Sequence, residues 1–247
     1  MRLWSFALAT GLLRVTTAVA QALNTGPAVE SLSPALKSCA EQMISVFENE
    51  STSLRYDYVE NLHDGRGYTA GRDGFASGDG DLLQVVEAYD DLRPNNILQN
   101  FVPLLKEVQG TASTHGLGAL PAAWRKAASD PLFRQAQDQV SDKLYYMPAM
   151  KAASELHLHS PLSKFALYDA IIQHGTDEDS DSLGAIIRAA NRDAGGPPEK
   201  AGEQKWLMAF LTARKGILLN AADPETRAAW RKRLPPRPRS RSLEASR

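Results

Sequence analysis

Apolar residues open the chain as an almost unbroken run, "LWSFALATGLL" from Leu3 to Leu13, and from Leu36 they return at helical spacing. Leu36, Cys39, Ala40, Met43, Ile44 and Phe47 recur every three or four positions behind Ser33-Pro34, an N-cap and a first helical residue, which predicts a helix ending near Glu48. Glycines from Gly65 to Gly80 break any helical period, and Tyr68, Thr69 and Phe75 fit short strands around turns. Beyond Asp81 the pattern is helical through "DLLQVVEAYDDL", "NILQNFVPLLKEVQG", "LPAAWRKAAS", "DPLFRQAQDQVSDKLYYMPAMKAASEL", "SPLSKFALYDAIIQHG" and "KWLMAFLTARKGILLNAA". Ser160-Pro161 marks a start and Gly175 a stop, and no repeat of 20 to 50 residues interrupts the series. The pattern predicts a mainly α chain with one small sheet, an α+β protein.

The two ends fall outside that pattern. Arg2, the apolar run and the small residues Ala18-Val19-Ala20 have the layout of a secretory signal peptide over 1–20, cleaved after Ala20, and the run is too short to span a bilayer. At the other end "LPPRPRSRSLEASR" has no apolar period, so 234–247 is expected to be a disordered basic tail behind a catalytic domain over 21–233. Cys39 is the single cysteine, which rules out an intramolecular disulfide, and its place in the helical pattern predicts a buried position.

Charge narrows the partners. The formal net charge of −1 averages a basic C-terminus, with eight Lys/Arg from Arg227 onward, against a body over 21–226 that carries 18 basic and 28 acidic residues, a net of −10. Nucleic-acid binding requires neutralisation of phosphates by Lys and Arg, so an acidic body argues against it and suits a cationic partner. No membrane partner and no second copy of the chain is expected.

Two carboxylates stand out as candidate chemistry. Glu48, at a helix C-terminus beside Phe47, meets an unfavourable dipole and an apolar neighbour, and both raise a carboxyl pKa. Asp64, in "HDGRG", is flanked by exposure-promoting glycine and by Arg66, whose charge favours the ionised form. One protonated and one ionised carboxyl are what glycoside hydrolysis needs, to donate to the leaving oxygen and to activate water. From spacing alone such a pair is commonplace.

The surrounding string is more specific. "FENESTSLRYDYVENLHDGRGYTAGRDGFASGDGDLLQVVEAY" resembles the chitosanases of glycoside hydrolase family 46, and the likeness continues through "NILQNFVPLLKEV", "HGLG", "AAWRKAA", "DPLFRQAQDQVSDKLYYMPA", "FALYDAIIQHG" and "FLTARKGIL". The resemblance implies a lysozyme-like fold of two mainly helical lobes around a cleft, with a small sheet near the catalytic base. It implies Glu48 as general acid, Asp64 as general base and Thr69 as a holder of the attacking water. Arg66, Asp81 and Tyr58 match positions that line the substrate cleft, Asp81 against a glucosamine amine, and His174 matches a histidine of the same region. Arg214 and Arg227 match arginines that join Asp169 in a network reaching the acid. The reading is an exported endo-chitosanase that inverts, acts on chitosan and needs no cofactor and no metal. Two other readings stay open: a lysozyme-like hydrolase of chitin or peptidoglycan, and a secreted sugar-binding protein without turnover.

Asp169 also follows from the residues themselves. It shares helical spacing with Leu162, Phe165 and Ile172, and a carboxylate on an apolar face must be paired, whether as a structural ion pair or as catalytic support. "DEDSDSLG", from Asp177 to Gly184, misses the calcium-loop pattern, with its glycine two positions late and Arg188 at the twelfth place, so it reads as a solvated acidic loop. His157 and His159, two apart, fall on different faces and do not form a metal pair. The chain departs from the family where it turns basic and proline-rich after Arg227, and at His63, which stands beside the base where some relatives have glycine.

Overall fold

The computed structural model describes residues 30–49, 51–175 and 180–220, the side chains of 47–49 excepted. The signal-peptide region, the tail, Arg227 and the side chain of Glu48 therefore lie outside the described residues. Helix α1 (Pro34–Asn49) begins where Ser33 and Pro34 place it, with the Leu36 N–H donating to Ser33 Oγ at 3.4 Å. A three-stranded antiparallel sheet follows in the order β1-β2-β3: β1 (Val59–Asn61), β2 (Tyr68–Ala70) and β3 (Phe75–Ala76). The register pairs Glu60 with Thr69 and Thr69 with Ala76, so Thr69 sits mid-sheet. Strand β1 is too short for its alternation to show in the sequence.

The helices that follow match the periodic segments. They are α2 (Asp81–Leu92), α3 (Val102–Val108) behind a 3-10 turn at Gln99–Phe101, α4 (Leu120–Ala127) and α5 (Pro131–Ser141), capped by the Asp130 carboxylate. A π-helical turn at Asp142–Tyr146 then separates α5 from α6 (Met147–Glu155), interrupting a segment that the sequence reads as one helix. Next come α7 (Pro161–His174), α8 (Leu183–Ala194), the short α9 (Pro198–Ala201) and α10 (Glu203–Leu219). Helix α8 is absent from the periodic reading, although Leu183, Ile186, Ala190 and Ala194 form a buried stripe at helical spacing behind the Ser182 cap.

Two hydrophobic cores result. One gathers the sheet with α2 to α5 around Phe75, Trp124 and Phe133, and the Trp124 and Phe133 rings meet edge-on at 4.8 Å. The other gathers α1, α6, α7, α8 and α10 around Tyr168, Trp206 and Phe210. Each fully buried residue of the Phe133 kind contributes roughly 1.5–3 kcal/mol. Tyr145, on the π-helical turn, packs against both cores, which puts that turn at their seam. Such turns place side chains that a regular helix would aim elsewhere.

Two expectations need correction. Cys39 is exposed, because α1 buries only a narrow stripe through Ala40 and Ile44, leaving Leu36 44% and Met43 43% exposed. Helix α7 has no apolar face through Leu162, which is 58% exposed; its burial instead runs from Ala166 through Ile171 on all sides, and Asp169 is buried with them.

Candidate active site

The loop from β1 to β2 presents Asp64. Gly65 and Gly67 take φ of 91° and 76°, a region that costs little only for glycine, and this folds Arg66 back onto the aspartate. Asp64 Oδ1 accepts from the Arg66 backbone N–H at 3.1 Å, and Oδ2 accepts from Arg66 Nε at 3.0 Å and Nη2 at 2.7 Å. Burial pushes the Asp64 carboxyl up, but the Arg66 hydrogen bonds and charge outweigh it and hold the carboxyl below its ordinary value. His63 takes φ of 57°, a left-handed conformation natural to glycine, and its N–H donates to Asn61 Oδ1 at 2.9 Å.

Thr69, five residues on, is 4% exposed, and its hydroxyl has no hydrogen-bond partner among the described residues. An orphan hydroxyl at the centre of a sheet, on the strand that follows the Asp64 loop, is suited to bind water. Tyr58, just before β1, is half-buried and donates to Glu60 Oε2 at 3.3 Å; burial first and then the Glu60 charge push its phenol up. Glu48 lies in the last turn of α1, where its helix-end position is as the sequence predicts and its side chain is outside the described residues.

Asp81 opens α2. Its Oδ1 accepts from the Ala76 N–H at 2.6 Å and the Leu82 N–H at 2.8 Å, and Tyr145 donates to Oδ2 at 3.5 Å. Burial pushes the Asp81 carboxyl up to about 6, with the neighbouring Asp79 charge adding to the rise and the two backbone N–H groups opposing it. A cavity of about 250 Å³ lies here, lined by Asp79, Asp81, Gln84, Leu144, Tyr145, Ile171 and Gly175. Its walls come from α2 and the π-helical turn on one side and α7 on the other, so it occupies the seam between the cores. Asp79 also reaches Arg66 Nη1 at 3.7 Å, which links the cavity to the Asp64 loop.

Behind the cavity, Asp169 and Arg214 form a buried ion pair, with both side chains 9% exposed. Arg214 continues the buried stripe of Trp206, Phe210 and Leu218 along α10, which is why its guanidinium points inward. His174, beside the cavity residue Gly175, is half-buried; burial and then the Arg214 charge push its imidazole down to about 4, so it is neutral at pH 7. In the acidic loop, Ser182 caps α8 and Asp181 is exposed, while 176–179 lie outside the described residues. His157 faces Glu199 at 3.5 Å, and among the described residues no three His, Cys, Asp or Glu side chains converge as metal ligands.

The sequence reading missed Tyr145, Asp79 and Gln84, whose place at the cavity depends on the π-helical turn and on packing between helices far apart in sequence. It also missed Arg72, a side chain 2% exposed and surrounded by Glu41, Asp73 and Asp138. The "GRDGF" that carries Arg72 begins two residues after Thr69, the one local sign of its importance.

A mainly helical, two-core protein with a carboxylate-lined seam and an ionised aspartate beside a small sheet has the layout of a glycoside hydrolase. The profile of glycosyl hydrolase family 46 matches residues 42–237, and the chain belongs to that family. It is 46% identical over 195 residues to the chitosanase of Bacillus subtilis strain 168, covering 78% of this chain and 70% of that one. Its fold matches the Gynuella sunshinyii family 46 chitosanase complexed with chitotetraose, with a TM-score of 0.75 at 44% identity over 82% of this chain and 85% of that one. A variant of the chitosanase of Bacillus subtilis MY002, complexed with 6 GlcN, matches with a TM-score of 0.75 at 43% identity over the same shares, 82% and 85%. These matches identify the fold as the lysozyme-like one of the family.

Proposed function

We propose that the protein is a secreted, monomeric endo-chitosanase that hydrolyses the β-1,4 bonds of chitosan with inversion. The observation that carries the substrate is the seam cavity, where the Asp79 and Asp81 carboxylates can meet a cationic sugar while Leu144, Tyr145 and Ile171 offer apolar surface to its ring. A chitosanase at 46% identity, and neighbours that hold chitotetraose or 6 GlcN, support the same choice.

In this reading Glu48 donates a proton to the glycosidic oxygen as the bond to the leaving sugar breaks. Asp64, kept ionised by Arg66, takes a proton from a water that Thr69 Oγ helps to hold, and that water attacks the opposite face of the sugar. The Arg66 bonds lower the basicity of Asp64 but guarantee its charge, and a carboxylate has about four acceptor positions, so the three bonds from Arg66 leave room for one more. Asp81 holds a glucosamine ammonium, Tyr58 and His174 line the path of the chain, and Asp169, Arg214 and Arg227 support the acid. Arg2, the apolar run behind it and Ala18-Val19-Ala20 support export.

Reducing ends released from chitosan, chitin and peptidoglycan test the substrate. Release from chitosan alone is the expected result. Preferential release from peptidoglycan or chitin would replace this reading with a lysozyme-like one, and no release from any would leave a binding protein.

A further inference from the structure

The most heavily charged interior cluster of the described residues takes no part in the chemistry above. Arg72 Nη2 lies 3.1 Å from Glu41 Oε1 on α1, Nη1 lies 2.5 Å from Asp138 Oδ1 on α5, and Nε lies 3.4 Å from Asp73 Oδ2. Glu41 is also 3.6 Å from Lys37, which reaches Asp142 at 2.5 Å on the π-helical turn. The backbone is tied as well, since the Arg72 N–H donates to Gln137 Oε1 at 3.1 Å. Tyr56 donates to the same Asp138 oxygen at 2.9 Å. These contacts join α1, whose buried residues belong to one core, to the β2 loop and α5, which belong to the other.

The position of the cluster matters for the reaction. Arg72 follows Thr69 by three residues, and Glu41 precedes Glu48 by seven, which is two turns of α1 or about 10 Å along its axis. Seven residues also return a helix to nearly the same face, so Arg72 holds the face of α1 on which Glu48 is borne. A charged junction is an expensive way to pack two cores, because apolar residues of the same volume stabilise such a site equally or better. What the guanidinium adds is attraction across the junction: it hydrogen-bonds Asp138 on α5 through Nη1 and draws Glu41 on α1 and Asp73 from 3.1 and 3.4 Å, a pull between the two cores that no apolar contact exerts.

We propose that Arg72 is a positioning residue for hydrolysis, clamping α1 through Glu41 so that Glu48 meets the glycosidic oxygen of a sugar held on the Asp64 and Asp81 side. The proposal rests on the assignment of Glu48 as the acid. Releasing the clamp moves α1 relative to the sugar, while Asp64, Thr69 and Asp81 stay with the core that binds it. The loss then falls on proton donation to the leaving group and not on binding.

The test compares chitosan with an aryl chitooligosaccharide whose dinitrophenolate leaving group needs no proton, using full-length Arg72→Lys, Glu41→Gln and Glu48→Gln proteins below their unfolding temperatures. Displacement of a catalytic group by about 1 Å costs on the order of 100-fold. Arg72→Lys should therefore lose about 100-fold in kcat on chitosan with KM changed less than about threefold, and most of that loss should vanish on the aryl substrate. Glu41→Gln, a milder change that keeps a hydrogen-bond acceptor, should show the same pattern at smaller amplitude and serves alone if Arg72→Lys does not fold. Equal losses on both substrates, or an unchanged kcat on chitosan in the folded variants, would overturn the clamp. Should Glu48→Gln also fail to recover on the aryl substrate, the acid assignment itself falls; recovery of Glu48→Gln without recovery of the clamp variants refutes the clamp alone.

Discussion

Replacing Asp169 with alanine tests the buried pair that the sequence left open between a structural and a catalytic role. Counted as whole residues, Asp169 is 6% exposed and Arg214 7%, and the carboxylate oxygen contacts the guanidinium directly. Removing it leaves Arg214 with the Asp169 carbonyl at 3.4 Å, and with a cationic charge that already pushes the His174 imidazole down. Stranding a buried charge in this way costs about 3–5 kcal/mol. For a chain of this size each kcal/mol moves Tm by roughly 2–4 °C, so the drop should be about 6–20 °C. Thermal unfolding followed by circular dichroism, with urea unfolding to obtain the free energy, measures it. The double variant Asp169→Leu with Arg214→Met removes both charges and should regain most of the stability. If it also regains activity, the pair is purely structural; stability without activity assigns it to catalytic support. A loss under about 1 kcal/mol for Asp169→Ala would refute the account of a buried, uncompensated arginine.

Asp64→Asn and Glu48→Gln should each lower kcat by about 10²–10⁴ with the fold intact, as read from initial rates and circular dichroism; a wild-type rate for either points to another carboxylate. Asp81, with its pKa raised to about 6, gains its proton as pH falls through that value, so KM for chitosan should rise between pH 7 and pH 5, and Asp81→Asn should flatten the rise. The same raised pKa means that the folded state binds the proton more tightly than the unfolded one, so Asp81 makes stability fall as pH rises from about 4 to 6, a slope that urea unfolding of Asp81→Asn should lack. Inversion requires Glu48 and Asp64 roughly 6.5–9.5 Å apart, and proton NMR of fresh product should show the α-anomer first; a β-anomer refutes it. Added salt should weaken apparent affinity for the polycation more than it slows turnover, because it screens exposed charges such as Asp79.

Local patterns in the sequence set much of this protein. The start of α1 at Pro34, the whole span of α2 and the end of α7 at Gly175 follow from caps and period, because those signals act within a few residues. The Asp64 loop was equally legible, since glycines and Arg66 at short range fix both its shape and its charge state. Tertiary structure decided what depends on distant partners. Cys39 sits in an apolar helical pattern yet is exposed, because only what packs against α1 determines which part of its stripe is covered. The π-helical turn that brings Tyr145 to Asp81 breaks a segment whose apolar period runs on as one helix, and Pro148, which has no N–H to give the carbonyl four residues back, is its one local sign. The Arg72 cluster assembles residues 37, 41, 72, 73, 138 and 142 from three separate stretches of chain, and none of the stretches carries a local sign of the other two. Periodicity reports how one element divides water from core; the meeting of charges across two cores is set by how those elements dock.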